Sequence, residues 1–271
     1  MNTADRIGSI QEASCLLADS VHDYTLGRRE RVNPGVSETD RAQKERNTSL
    51  ENGSAIAIDG PVASGKTTVG RKLAHRLEYR FLDTGGMYRA VTVVALNENL
   101  DLGDQDALSR LTEEMPIEIV ASPDGDRLIA NNIDVTDRLR GRDVDQNVSQ
   151  IAAVRGVRTA LVRQQKNIGA RGSIVMVGRD IGTVVLPDAS IKVYLDASVE
   201  VRANRRHLEL QSAHETLTYQ EILQDLVNRD KIDSERDVAP LMPADDALIL
   251  NTKELTIEQV VDSILNEMES R

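Results

Sequence analysis

Ala55-Ile56-Ala57-Ile58-Asp59, continuing as Gly60-Pro61-Val62-Ala63-Ser64-Gly65-Lys66-Thr67-Thr68, sets a short apolar run directly before a glycine-rich turn. The apolar run is of the kind a buried parallel strand shows, and the helical pattern Val69, Leu73, Ala74, Leu77 begins on the far side of the turn. Between them stand Gly, four residues, Gly, Lys and Thr, and each position has a physical job. The glycines let the backbone wrap an anion, successive N–H groups point inward, and the following helix adds its N-terminal partial positive charge. In such a cradle Lys66 reaches the β- and γ-phosphates of a nucleoside triphosphate, and the Thr67 hydroxyl ligates magnesium. The strand before and the helix after are the context that this pattern requires.

Outward from the turn, strand and helix alternate. Arg80-Phe81-Leu82 reads as a second short strand ending at Asp83, followed by a helix through Ala90 and Ala95. This alternation predicts an α/β fold with a parallel sheet flanked by helices. From about Leu111 the pattern changes: Ile117-Glu118-Ile119-Val120 and Arg127-Leu128-Ile129 are short strands around Pro123-Asp124-Gly125, a small antiparallel insertion. Helical sequence runs on through Ile151, Val154, Val157, Leu161 and Val162. Parallel-type strands return at residues 173–177, 191–195 and 247–250, with helices around 201–210, 219–227 and 256–268.

Composition limits what the chain can do. Its 271 residues are 40% apolar and 28% charged, a globular composition sufficient for one large domain or one domain with a smaller module. With 33 Lys and Arg against 44 Asp and Glu the formal charge is −11, so the surface repels a phosphate backbone and general nucleic-acid binding is not expected. Five Tyr, one Phe and no Trp cannot build a platform for stacking several bases, so any base recognition is mainly polar. The single Cys15 excludes an internal disulfide and a cysteine-rich zinc site, and fits a reducing compartment. No apolar run approaches the ~18 residues of a membrane helix, and a cytoplasmic protein without a membrane partner is expected. Residues 1–53 are polar and charged apart from a patch around Cys15, Leu16 and Leu17, and read as a flexible extension.

A phosphate cradle leaves open what is done with the nucleotide. Asp83-Thr84-Gly85-Gly86 fits the Asp-x-x-Gly pattern of a nucleotide-dependent switch, but no Asn-Lys-x-Asp guanine-reading string exists in the chain. A phosphotransferase instead needs cations beyond Lys66 that converge on the transferred group. Arg89, Arg179, Arg229 and Arg236 are the candidates, the last two in a charged, loop-like stretch ending at Pro240. Taken alone, Ser149 reads as a helix-surface serine, Arg158 as the partner of a nearby carboxylate, and His207 and His214 as surface residues.

Four strings together carry a resemblance. Ile58-Asp59-Gly60-Pro61 leading into the cradle is the first, and Leu82-Asp83-Thr84-Gly85-Gly86-Met87-Tyr88-Arg89 the second. Gly178-Arg179-Asp180-Ile181-Gly182-Thr183-Val184-Val185 with Pro187-Asp188-Ala189 is the third, and Arg229-Asp230 through Asp233-Ser234 and Arg236 to Ala239-Pro240-Leu241 the fourth. Over roughly residues 54–270 the chain resembles the bacterial cytidylate kinases in the order and spacing of these strings. The resemblance implies a P-loop kinase with a five-stranded parallel sheet, a small antiparallel monophosphate-binding insertion over about 111–170, and a mobile lid over about 229–241. It implies transfer of the ATP γ-phosphate to CMP or dCMP, giving CDP or dCDP and ADP, with Mg²⁺ as the metal and a monomer as the working form. A kinase of the same fold acting on UMP or AMP, and a non-catalytic nucleotide switch, are the alternatives.

The resemblance also carries roles for single residues. Residues 60–68 hold ATP, with Thr67 as the one metal ligand; Lys66, Arg179 and Arg236 stabilise the transferring group. Thr84, Tyr88 and Arg89 line the monophosphate site, with Arg89, Arg179 and Arg236 near the acceptor phosphate. Ser149, Arg158 and Asp180 read cytosine, whose amino group needs an acceptor and whose ring nitrogen and carbonyl need donors. Arg229 and Asp233 hold the sugar from the lid side. Two departures stand out: relatives often carry alanine in place of Gly86, and an acid in place of Val177, so no carboxylate is assigned to the magnesium shell.

Overall fold

Strand β1 (Ala55–Asp59) alternates its side chains between two cores, which is why every residue after Ala55 is buried. Ile56 and Ile58 face one apolar cluster, while Ala57 faces the other. The computed structural model describes residues 54–120, 126–212 and 217–271; the expectations placed on residues 1–53, on Pro123-Asp124-Gly125 and on His214 lie outside the described residues.

The chain runs from β1 through α1 (Lys66–Leu77), β2 (Arg80–Asp83), α2 (Thr84–Asn97) and α3 (Gln105–Glu114). Strands β3 (Ile117–Val120), β4 (Arg127–Ala130) and β5 (Ile133–Asp134) follow, then α4 (Arg142–Ala153) and α5 (Arg155–Gly169). Next come β6 (Ile174–Gly178), β7 (Ile191–Asp196), α6 (Val199–Ser212), α7 (Tyr219–Glu235), β8 (Leu248–Asn251) and α8 (Ile257–Ser270). The main sheet has five parallel strands in the order β2-β6-β1-β7-β8. The chain leaves β1 toward β2 on one side and reaches β7 on the other, so the crevice beyond the carboxyl end of β1 is a topological switch point, where such sheets bind ligands.

One face of the sheet is covered by α1 and α8, through Val69, Leu73, Val260, Val261 and Ile264. Gly70 permits the close approach of α1, because a Cβ there would sit 2.6 Å from Val177 and 2.8 Å from Phe81. The other face is covered by α2, α3, α4 and α5, with Met87, Val91, Leu108, Val144, Ile151 and Leu161 around Leu82 and Met176. Strands β3, β4 and β5 form a separate antiparallel sheet against α2, the expected insertion. Helices α6 and α7 pair through a small core of their own, Ala203, Leu210, Ile222 and Leu226, with Val62 of the glycine-rich turn packed against it.

Three features differ from the sequence reading. Helix α3 has no counterpart in the sequence pattern; Asp104 caps it by accepting from the N–H of Ala107 at 2.9 Å. The single helical run through Ile151 and Leu161 is two helices, broken at Val154, whose ψ of 121° is extended. Val154 is buried at this break, and Gly156 beyond it comes so close to α3 that a Cβ would meet Ser109 at 2.1 Å. The charged stretch from Arg229 is not loop-like: α7 continues to Glu235, after a capping box between Thr218 and Glu221. Arg229 and Asp233 therefore share one helix face, and the loop begins only at Arg236.

Gly86 lies in the first turn of α2. A Cβ there would meet the Leu128 methyls at 3.7 Å, ordinary contact distance. Gly86→Ala is expected to raise stability by about 0.5–1 kcal/mol in chemical denaturation, through the lower entropy of the unfolded chain, and to leave turnover within about twofold; a loss of stability would show that the close fit to β4 tolerates no methyl.

Candidate active site

The glycine-rich turn is held open by backbone geometry. Gly60 has a φ of 147° and its α-carbon lies so close to β7 that a Cβ would meet the carbonyl oxygen of Leu195 at 2.2 Å. Gly65 adopts a left-handed φ of 97° at the N-cap of α1. No side chain caps this helix and no acidic residue stands in its first turn, so its N–H groups and partial positive charge are left for a bound anion. Lys66 curls back over the turn, its Nζ donating to Pro61 O at 2.5 Å and to Ser64 Oγ at 3.3 Å. Burial, with Arg179 adding to it, pushes the Lys66 amine well below its ordinary range, against the opposing pull of Asp83, Asp59 and Asp233. An added phosphate would restore what burial removes.

Asp59 joins this turn to the next strand end. Its two carboxylate oxygens accept from the backbone N–H groups of Ile181 and Gly182, each at 2.8 Å. Burial raises the carboxyl to about 6, opposed by these two hydrogen bonds. Asp83, at the end of β2, serves two partners: Oδ1 accepts from Gly85 N at 3.0 Å and caps α2, and Oδ2 accepts from the Thr67 hydroxyl at 2.8 Å. A hydroxyl and a carboxylate side by side are hard oxygen donors suited to magnesium. The Thr84 hydroxyl donates to Val177 O at 3.0 Å, so its proton is already engaged.

Across the crevice the cations are fixed by carboxylates. Arg179 donates from Nε to Asp233 at 2.9 Å, tying the β6 end to α7. Burial pushes the Asp233 carboxyl up, but Arg179, Arg236 and Arg229 outweigh it and hold the group below the ordinary carboxylate range. Arg158 and Asp180 form a short ion pair, with 2% and 5% of their side chains exposed. Arg236 lies 3.8 Å from the other Asp180 oxygen and donates from Nε to Ala239 O at 2.7 Å. The Arg158 guanidinium also stacks over the Tyr88 ring, 5.5 Å from its centroid. The Arg158 Nε, Arg229 Nε and Arg236 Nη2 nitrogens are buried without a hydrogen-bond acceptor among the described residues. Donors so placed are costly unless a ligand supplies the acceptors.

One cavity of about 890 Å³ connects these groups. Lys66, Thr67 and Thr68 of the cradle line it together with Ser149, Arg158, Asp180, Arg179, Arg229, Asp233 and Arg236. The profile of the cytidylate kinase family matches residues 56–270. The chain belongs to that family. It is 43% identical to the cytidylate kinase of Bacillus subtilis over 222 residues, 82% of this chain and 99% of the relative. The cytidylate kinase of Carboxydothermus hydrogenoformans is 44% identical over 78% of this chain and 95% of the relative. That of Exiguobacterium sibiricum is 47% identical over 76% and 92%.

Membership leaves the nucleotide-switch alternative without support. Of residues 60–68, Val62 to Thr68 line the cavity and Gly60 and Pro61 do not; Thr84, Tyr88, Arg89, Ser149, Arg158, Arg179, Asp180, Arg229, Asp233 and Arg236 line it too. Sequence reasoning missed Asp59, Asp83 and Arg202. Asp83 stands in the sequence reading as a strand end and as part of two strings, without a role of its own. Arg202 of α6, 4% exposed, donates to Ala197 O at 2.9 Å and Val62 O at 3.2 Å, and its Nη2 meets Asp230 of α7 at 2.5 Å. It ties the turn to the helical pair, a role for which the sequence holds no local signal.

Because Asp59 is raised from 3.8 to about 6 on folding, its contribution to stability is complete below about pH 4 and is lost as pH rises through 6. The stability of the wild type minus that of Asp59→Asn is expected to fall by about 3 kcal/mol across that window and to stay flat above pH 7. Denaturant titrations of both proteins from pH 4 to 8 measure it; parallel profiles would contradict the buried, titrating carboxyl.

Proposed function

We propose that this site transfers the γ-phosphoryl group of ATP to CMP or dCMP, with Lys66, Arg179 and Arg236 stabilising the group in transit. The observation that carries the reading is that the phosphate cradle and the buried Arg158–Asp180 pair line one and the same cavity. A carboxylate already held by a guanidinium accepts hydrogen bonds, which suits the amino group of cytosine and leaves the carbonyl of uracil facing another acceptor. Ser149 and Arg158 supply donors for the ring nitrogen and carbonyl, Arg89, Arg179 and Arg236 the charges for the acceptor phosphate, and Arg229 and Asp233 the contacts to the sugar.

Thr67 and Asp83 fit magnesium and would hold it beside the cradle, where the ion neutralises charge on the donor phosphates. The other contributions come from the chain. The loop amides and Lys66 fix the donor, the arginines align the acceptor phosphate oxygen with the γ-phosphorus, and no covalent intermediate is formed. A monophosphate is already anionic at neutral pH, so no strong general base is needed. The end of α7 and the loop over 236–241 act as the lid, excluding water that would otherwise hydrolyse ATP. The working form is a cytoplasmic monomer whose partners are small molecules; among the described residues no helix is long and apolar enough to cross a membrane.

ADP release from Mg·ATP, measured with CMP, dCMP, UMP, AMP or no acceptor, is expected to be stimulated by CMP and dCMP at least tenfold over the others. Arg236→Ala is expected to lower turnover at saturating CMP by about 10²-fold or more. Equal rates with every acceptor, or none, would overturn the reading.

A further inference from the structure

Three arginines on three helices converge on one carboxylate that has no part in the roles above. Asp145, in the first turns of α4, meets Arg89 of α2 at 2.6 Å and Arg229 of α7 at 3.7 Å through Oδ1, and Arg206 of α6 at 3.0 Å through Oδ2. All four side chains are only 18–21% exposed, so the charges interact through a partly dry interior and not through bulk water. Arg89 is held at both ends of its guanidinium, with Nη1 donating to Leu139 O at 2.8 Å and Nη2 against Asp145. Arg206 also pairs with Glu209 at 2.9 Å on its own helix.

Among the described residues, Asp145 is therefore a point at which α4 of the insertion, α2 and the α6–α7 pair share a charge. Of the three arginines, Arg89 and Arg229 are assigned to the acceptor, and Arg206 is assigned nothing. Arg229 is short of counter-charge: burial, with Arg89 and Arg179 adding to it, lowers its guanidinium to about 10, and Asp145 and Asp233 oppose this only in part. Without Asp145, Arg89 and Arg229 would repel each other across the acceptor site, and their side chains would swing apart toward solvent.

We propose that Asp145, together with Arg206, is a positioning residue for the acceptor: it holds Arg89 and Arg229 at the acceptor site and links the insertion to the α6–α7 pair across it. This rests on the assignment of Arg89 and Arg229 to the acceptor made above. Among the described residues no hydrogen bond or ion pair joins residues 60–68 to Asp145 or Arg206, so the effect is expected to fall on one substrate only. A carboxylate that merely braced the fold would affect both substrates or neither.

Steady-state kinetics on Asp145→Asn, Arg206→Gln and the double variant, varying CMP at saturating ATP and then ATP at saturating CMP, test this. Asp145→Asn is expected to raise KM for CMP about tenfold with KM for ATP within twofold of wild type; Asp145→Glu is expected to recover part of the loss. Arg206→Gln, at a partly exposed position where folding is not at stake, is expected to move KM for CMP the same way by about threefold. The double variant is expected to be no worse than Asp145→Asn alone, since both act through one contact. An unchanged or lowered KM for CMP in both single variants, or equal increases for both substrates, would overturn the proposal; a lowered value would mean that Asp145 competes with the acceptor phosphate. Arg229→Ala serves as the control on the underlying assignment. If it leaves KM for CMP unchanged, the acceptor assignment itself falls, and with it this inference; if it raises KM while Asp145→Asn does not, only the role of Asp145 is lost.

Discussion

A single carboxylate, Asp59, holds the two halves of the site in register. It ends β1, from which the phosphate cradle springs, and grips the N–H groups of Ile181 and Gly182 directly after Arg179 and Asp180. Arg179 and Asp180 in turn reach Asp233 of α7 and Arg158 of α5. The phosphate cradle, Arg179 with Asp233, and the Arg158–Asp180 pair are thus linked through one strand end and the backbone turn that it holds. The backbone N–H groups that would otherwise be orphaned at this turn are satisfied by it.

These buried pairs are poor stabilisers and good positioners. Bringing Arg158 and Asp180 out of water costs as much as or more than their attraction returns, while removing one partner strands the other at a cost of about 3–5 kcal/mol. Their use is geometric. Side chains as long as arginine lose much rotamer freedom when fixed, and the carboxylates impose that loss during folding, before any substrate arrives. The same logic runs through Arg202, which ties Val62 of the cradle to Asp230 of α7. A site prepared in this way spends less of the substrate's binding energy on ordering itself and more on aligning the phosphoryl transfer.

What the sequence makes legible follows from how local each signal is. Strand β1, the cradle and the start of α1 are contiguous, so the periodicity and the glycine spacing identify them together. The site strings around Asp83, Arg179 and Arg236 are also contiguous and bring Thr84, Tyr88, Arg89, Arg179, Asp180, Arg229, Asp233 and Arg236 to the cavity, while Ser149 and Arg158 reach it from outside any of them. The break at Val154 is hidden because apolar residues continue at helical spacing on both sides of it. Arg229 to Glu235 reads as a loop because its charges mask a helix whose buried face is narrow, Ile222, Leu226 and Asp233. The contacts of Asp59 with Ile181 and of Arg179 with Asp233 span 122 and 54 residues, and no local pattern encodes such pairings. Asp145 is the extreme case: nothing near it in the sequence distinguishes it from any acidic residue in the first turn of a helix.

On the proposed function, internal ion pairs build the acceptor pocket ahead of the donor. Calorimetric titration of CMP and of UMP into the protein without ATP or magnesium tests it directly. One CMP per chain, bound at least tenfold more tightly than UMP, is the result that a pocket prepared by Arg158, Asp180 and the surrounding arginines requires. Absence of CMP binding until an ATP analogue is added, or equal affinity for the two monophosphates, would contradict it.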